Sequence, residues 1–212
     1  MFGKICMKTG KLTALLLAVL LICAMVPAMG ETMTADTLFG VINGDTYENS
    51  FIGLGCTLEG WRYYTDEEMA EANQKTKEAL FSELDESQIT YFAVMMAVKP
   101  NNMQNVNIQL QNVKDYVSYY KTVGLSYMAS YLFGEYKSML ESAGYTDIHL
   151  EVGEMSIGER TYTCIIGDYS LRGMHMYVKQ LWDLRGDYMV NVTVTTVMED
   201  KTDEVFSKFY PI

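Results

Sequence analysis

The sequence is short of the residues that usually announce chemistry. It has two histidines and four cysteines, too few and too dispersed for the three or four convergent ligands a zinc centre needs. His149 and His175 fall on the polar faces of predicted strands, and neither has a second His or Cys at ligand spacing. No Gly-x-Ser-x-Gly elbow, P-loop or Gly-x-Gly-x-x-Gly fingerprint is present. The Gly53-Leu54-Gly55 triplet lies inside a predicted strand with no helix directly after it, so it reads as structure and not as a phosphate cradle. Basic residues are scarce, 16 against 27 acidic, and the net charge of −11 repels nucleic acid and anionic membrane surfaces. No internal repeat or low-complexity tract breaks the chain. What remains is a 212-residue sequence, 49% hydrophobic, ample for one core.

The N-terminus reads as an address. Lys4, Lys8 and Lys11 precede the apolar run Leu12–Val26, which is too short to span a bilayer comfortably. Ala28 and Gly30 supply the small residues of a cut expected between Val26 and Glu31. Leu21 and Ile22 are too large to precede a lipoprotein cysteine at Cys23. The expectation is a secretory signal peptide over residues 1–30 and a secreted or cell-envelope protein, in contact with membrane only through its leader. Cleavage would remove three of the 16 basic residues and no acidic one, taking the net charge from −11 to −14. Such a chain suits a cationic partner. Cys6 and Cys23 would leave with the leader. Cys56 and Cys164 would then form one disulfide or pack as two separate buried thiols.

Glu31–Phe39 shows no periodicity and is expected to be a flexible N-terminus, followed by a single domain over 40–212. Asn43-Gly44-Asp45 marks a turn. In Phe51–Leu58, Ile52, Leu54, Cys56 and Leu58 share one face, while Gly53 and Gly55 on the other invite close approach of another element. Glu59-Gly60 turns the chain into a return strand from Trp61 to Tyr63. Thr65 and Glu68 form a capping box for a helix whose inner stripe runs Met69, Ala72, Thr76, Ala79, Leu80, Leu84. The acidic run Asp66–Glu68 belongs to that helix start and not to a cation site. Ile89–Val98 is apolar on both faces, as a central strand would be. Asn105–Asn112 alternates, with Val106, Ile108 and Leu110 inward. After a long helical stretch closed by Gly144, strand runs separated by Gly158-Glu159, Arg172-Gly173 and Arg185-Gly186-Asp187 are spaced as a meander. A closing helix is expected over Asp203–Tyr210. Asn191-Val192-Thr193 fits a glycosylation triplet but falls within a core strand. The expected fold class is α+β, an antiparallel β-sheet with helices packed on its faces.

This order of elements resembles the PsbP-like fold family, the group that includes Mog-type, DcrB-like and bacterial lipoprotein relatives. The matching words are Tyr47–Gly53, Gly60-Trp61, Thr65–Glu68, Gly144-Tyr145 and Ile157-Gly158. The resemblance implies an α/β/α sandwich and a binding or assembly role without catalysis. The group shares no active-site residues, so none is carried over.

The stretch Asp115–Ala143 cannot be one straight amphipathic helix. At 100° per residue, Leu125, Met128, Leu132, Tyr136, Met139 and Ala143 share one stripe. Lys121 falls on its backward extension, while Tyr116, Tyr120 and Val123 lie opposite. Gly124 is where the pattern changes, so a break is predicted within Thr122–Ser126. Tyr127 and Tyr131 then sit one turn apart on the polar face, beside Ser130, Gly134 and Ser138. They serve either as interface anchors or as rings covered by another segment. The leading expectation is a non-enzymatic binding or assembly module with an unidentified protein partner, and no cofactor or metal. The alternative is a carrier of a small apolar ligand, with its pocket between the sheet and the long helix; its support is the 16 methionines and 16 tyrosines, soft and amphipathic side chains that either suit an adaptable pocket or simply fill the core.

Overall fold

The structure, a computed structural model, describes residues 34–82, 91–101 and 103–212. The expected leader and its cleavage site lie outside the described residues. In chain order the elements are α1 (Ala35–Phe39), β1 (Val41–Asn43), β2 (Thr46–Asn49), β3 (Leu54–Thr57), β4 (Arg62–Tyr63), α2 (Asp66–Asn73), α3 (Lys77–Ser82), β5 (Tyr91–Val98) and β6 (Gln104–Asn112). A 3-10 turn over Lys114–Tyr116 leads to α4 (Val117–Val123) and α5 (Leu125–Ser142). Then come β7 (Thr146–Ile157), β8 (Arg160–Leu171), β9 (Met174–Arg185), β10 (Tyr188–Val197), α6 (Thr202–Phe206) and β11 (Phe209–Pro211). This is an α+β fold with two antiparallel sheets, of order β4-β5-β6-β10-β9-β8-β7 and β1-β2-β3-β11.

The large sheet is a meander folded beside a hairpin. The connections at Gly158, Arg172-Gly173 and Gly186 all adopt positive φ, as tight two-residue turns require. Alternation then sorts the side chains. Val190, Val192 and Val194 of β10 stand beside Leu110, Ile108 and Val106 of β6. All six are buried in the main core with Tyr47, Leu54, Cys56, Val205, Phe206 and Phe209. This inner face therefore packs on the small sheet and the short helices. The outer face takes α4 and α5, through Leu125, Met128 and Ala129 against Trp182, Leu184 and Ile165.

Several expectations are corrected. Ala35–Phe39 is a capped helix and not a flexible end: the Thr34 side chain accepts from the Thr37 N–H, and Leu38 and Phe39 are buried. A single helical turn has too little length to show periodicity. The turn at Gly60 does not make a hairpin with β3; it carries the chain from one sheet to the other, where Arg62 pairs with Val98. The capping box at Thr65 and Glu68 is present, but the helix stops at Asn73 with Gln74 in the left-handed region, φ 58°. Thr76, expected on the inner stripe, instead caps α3 by accepting from the Ala79 N–H. Asn73 turns its amide onto β5, donating to the Ala93 carbonyl at 2.9 Å and accepting from its N–H at 2.8 Å. That blunts the edge of the sheet. β5 is accordingly next to an edge and not central. Its apolar run reflects a bulge between Ala93 and Met95, which leaves Val94 and Met95 both in the main core.

The C-terminus is helix only to Phe206. Tyr210 and its neighbours form β11 against β3, and a Cβ on Gly55 would lie 2.6 Å from the Tyr210 ring. The close approach expected from the paired glycines is therefore made by the chain's own end. Cys56 and Cys164 are free, buried thiols. Cys56 faces Tyr47 and Phe209 in the small sheet, whereas Cys164 lies between Gly153 and Leu181 in the large one. No disulfide joins them, and burial pushes both thiols up to about 12.

Candidate functional site

The break at Gly124 organises the outer surface. Gly124 takes φ 88° and ψ 145°, ending α4 and starting α5 on a new axis. Each helix can then bury its own stripe: Tyr120 from α4, and Leu125, Met128, Ala129 and Leu140 from α5. Tyr127 and Tyr131 consequently point away from the sheet, 60% and 68% exposed. Their rings are stacked at 6.5 Å between centroids and 16° between planes. Neither described alternative segment covers them. Before the break Tyr116 and Tyr119 are exposed as well, each within 6 Å of the Tyr120 ring. Between Tyr127 and Tyr131 in sequence, the Ser130 hydroxyl donates back to the Ser126 carbonyl one turn earlier, so its own polar demand is met within the helix. The surface is aromatic and held by a rigid helix, properties that give large contact area at low entropic cost.

A second constellation was not legible as such in the sequence. Antiparallel register sets His149 opposite Asp168, and Ser170 opposite His175. Asp168 Oδ1 lies 3.2 Å from His149 Nδ1 and 3.3 Å from His175 Nε2, and Ser170 Oγ lies 3.3 Å from His175 Nδ1. The Tyr177 ring meets His175 edge-on at 4.7 Å. His149, Asp168 and Tyr177 border a cleft of about 360 Å³, with Glu151, Asp200 and Thr202. The chain's two histidines thus share one carboxylate. The order Ser–His–Asp has the members of a nucleophile relay, but the contacts are long and the His175 and Asp168 side chains are each 36% exposed, so water competes for them. Among the described residues no group of three His, Cys, Asp or Glu side chains is arranged to hold a metal ion.

A further cleft of about 300 Å³ lies where α1 and β1 approach α2 and β5, bordered by Phe39, Tyr64, Met69 and Met95 and by Asp36 and Lys77. Neither cleft is lined by a residue of α5.

The buried charges serve the frame. Asp183 accepts from Arg160 at 2.5 Å and Arg185 at 2.7 Å. Burial raises its carboxyl pKa, opposed by the two guanidiniums. Lys179 reaches Asp203 at 2.5 Å and fastens α6 to the sheet. Among the described residues no helix is long and apolar enough to cross a membrane. Compared with known proteins, the chain matches no protein-family model and shows no significant match to a curated sequence.

Proposed function

We propose that this protein is a non-enzymatic binding or assembly module of the cell envelope that engages a protein partner through the Tyr127–Tyr131 face. The observation that carries the reading is the exposed, stacked tyrosine pair on a helix anchored by its opposite stripe. Two large rings already held parallel lose little freedom when a partner covers them. The acidic surplus of the chain favours a cationic partner and speeds its approach. The secretory reading of residues 1–30 puts the encounter outside the cytoplasm, and the order of elements supports placing the domain with PsbP-like proteins.

The test compares the unaltered protein with Tyr127→Ala/Tyr131→Ala and with Lys137→Ala, an exposed change on the same helix. Each is immobilised and exposed to an envelope extract of the source cells, and retained proteins are quantified. Anchor tyrosines contribute about 1–2 kcal/mol or more each, so the double variant loses at least about tenfold in affinity for the true partner, while Lys137→Ala keeps it. Equal retention by all three proteins refutes the tyrosine face.

A further inference from the structure

The outer face of the large sheet changes character across its width. Under α4 and α5 it is apolar. On β6 and β10 it is built from amides and hydroxyls, because the residues that alternate with the inward apolar ones are Asn107, Gln109, Asn191 and Thr193. Gln109 stands opposite Asn191, and Asn191 opposite Trp182, on one rung. Asn107 is one rung away opposite Thr193, and Tyr91 lies on the rung at the other side, opposite Gln111.

These groups are withdrawn from water. Asn191 is 0% exposed, Gln109 1%, Trp182 1% and Asn107 3%. Yet Asn107 Oδ1, Gln109 Nε2, Trp182 Nε1, Tyr91 Oη and both amide atoms of Asn191 have no hydrogen-bond partner. Native folds keep only a few such atoms per hundred residues, usually scattered, since each costs the desolvation that water would have repaid. Six on one sheet face form a set. Their neighbour shows that pairing is possible there: Gln180 donates to Thr193 at 2.9 Å.

We propose that this amide layer is a binding site for a neutral, polyhydroxylated ligand of the saccharide class. It is independent of the tyrosine face. The chemistry of the set selects the ligand. Each amide offers a donor and an acceptor, and a hydroxyl answers both; the indole N–H and the phenol add further partners. An apolar ligand would leave the six atoms unpaired. The residues of β5, β6, β10 and β9 on this face include no Asp, Glu, Lys or Arg. An ionic ligand would find no counter-charge. From strand spacing and rise the layer spans about 14 Å by about 13 Å, enough for a ring or two of a saccharide. α4 closes the near end, its Tyr120 packing in one cluster with Trp182 and Met189. It lifts on Gly124, whose positive φ and open surroundings suit a hinge, to admit the ligand.

The experiment uses Trp61→Phe, which leaves Trp182 as the single indole. The protein is titrated with cellotetraose, chitotetraose and maltotetraose, and with tetra-alanine as a peptide probe, reading Trp182 emission and the melting temperature. At least one saccharide is expected to shift the emission saturably and raise the melting temperature. In the same background, Asn191→Leu and Gln109→Leu each abolish that response while raising the melting temperature of the free protein by a few degrees, because an unpaired amide has been removed. Silence towards every saccharide overturns the proposal, as does a response to tetra-alanine alone. Lower stability or failure to fold in both leucine variants also overturns it, since the amides would then already be partnered within the fold.

Discussion

Gly40 joins α1 to β1, and its replacement by alanine tests whether the N-terminal helix is a fixed part of the domain. Gly40 has φ 73° and ψ −178°, a region that residues with a Cβ avoid. The conformational cost is of the order of 1–3 kcal/mol. A Cβ there would also lie 2.7 Å from the Glu48 carbonyl oxygen and 2.7 Å from the Tyr47 ring. Neither can retreat easily. The carbonyl belongs to β2, and Tyr47 is 1% exposed with its hydroxyl donating to the Phe39 carbonyl at 2.9 Å. Overpacking of that kind adds about 1–3 kcal/mol. Gly40→Ala should therefore cost about 2–6 kcal/mol, a large share of the roughly 5–15 kcal/mol that holds a domain together. The control is Gly44→Ala, at φ 61° with nothing within 4 Å of the new carbon, where only the backbone cost of about 1–2 kcal/mol applies. Urea unfolding followed by circular dichroism gives both values at constant slope. If Gly40→Ala costs no more than Gly44→Ala, α1 is not seated against Tyr47 as described.

Two other expectations are simple to check. Neither Cys56 nor Cys164 should react with a maleimide at pH 7.5 in the native protein, because burial holds each thiol up at about 12; both should react in guanidinium, and a reductant should not change the unfolding midpoint. Thr65→Ala removes one half of the capping box and should cost about 1 kcal/mol by urea unfolding. The other half of the box depends on pH through Glu68, whose carboxyl is lowered by the Thr65 N–H and then by Arg62. A lowered carboxylate contributes stability above its unfolded value, and loses it as pH falls through the lower folded value. The difference between unaltered protein and Glu68→Gln should therefore shrink on acidification below the ordinary glutamate range; a difference that grows there would contradict the reciprocal cap.

What could be read in advance was local. The capping box at Thr65 and Glu68, the turn at Gly44, the meander turns and the break at Gly124 each follow from a few adjacent residues whose chemistry permits little else. What could not be read depends on partners far away in sequence. Nothing near Trp61 says that Arg62 and Tyr63 leave the first sheet for the second, because that choice is made by Val98 and Ala97. Nothing near Asn73 says that its amide will end α2 by turning onto β5, twenty residues on. The final segment looked helical because Val205, Phe206 and Phe209 fit a helical stripe. All three are indeed buried, but Phe209 reaches the core from a strand paired with Cys56.

The same distinction separates the two surface constellations. Tyr127 and Tyr131 were legible because a helix fixes its exposed face by its buried one: once Leu125, Met128 and Leu132 are inward, residues at 127 and 131 have only solvent to face. The cluster of His149, Asp168, Ser170 and His175 needs the register of two hairpins. One was within reach. The two-residue turn Arg172-Gly173 sets Ser170 against His175 and Asp168 against Tyr177 without further information. The other was too: from the turn at Gly158 the register of β7 with β8 runs unbroken from Ile157 opposite Arg160 to His149 opposite Asp168 and slips only beyond it, between Thr146 and His149, so what went unread is that the two hairpins meet on Asp168. The amide layer lies further still from reach. Asn107 and Gln109 alternate with Val106, Ile108 and Leu110, the pattern of a strand with one wet face, and on that pattern the amides belong in solvent. Their burial sets them apart from an ordinary polar face, and it is the reason that replacing Asn191 or Gln109 with leucine is expected to strengthen the fold while removing what the face can bind.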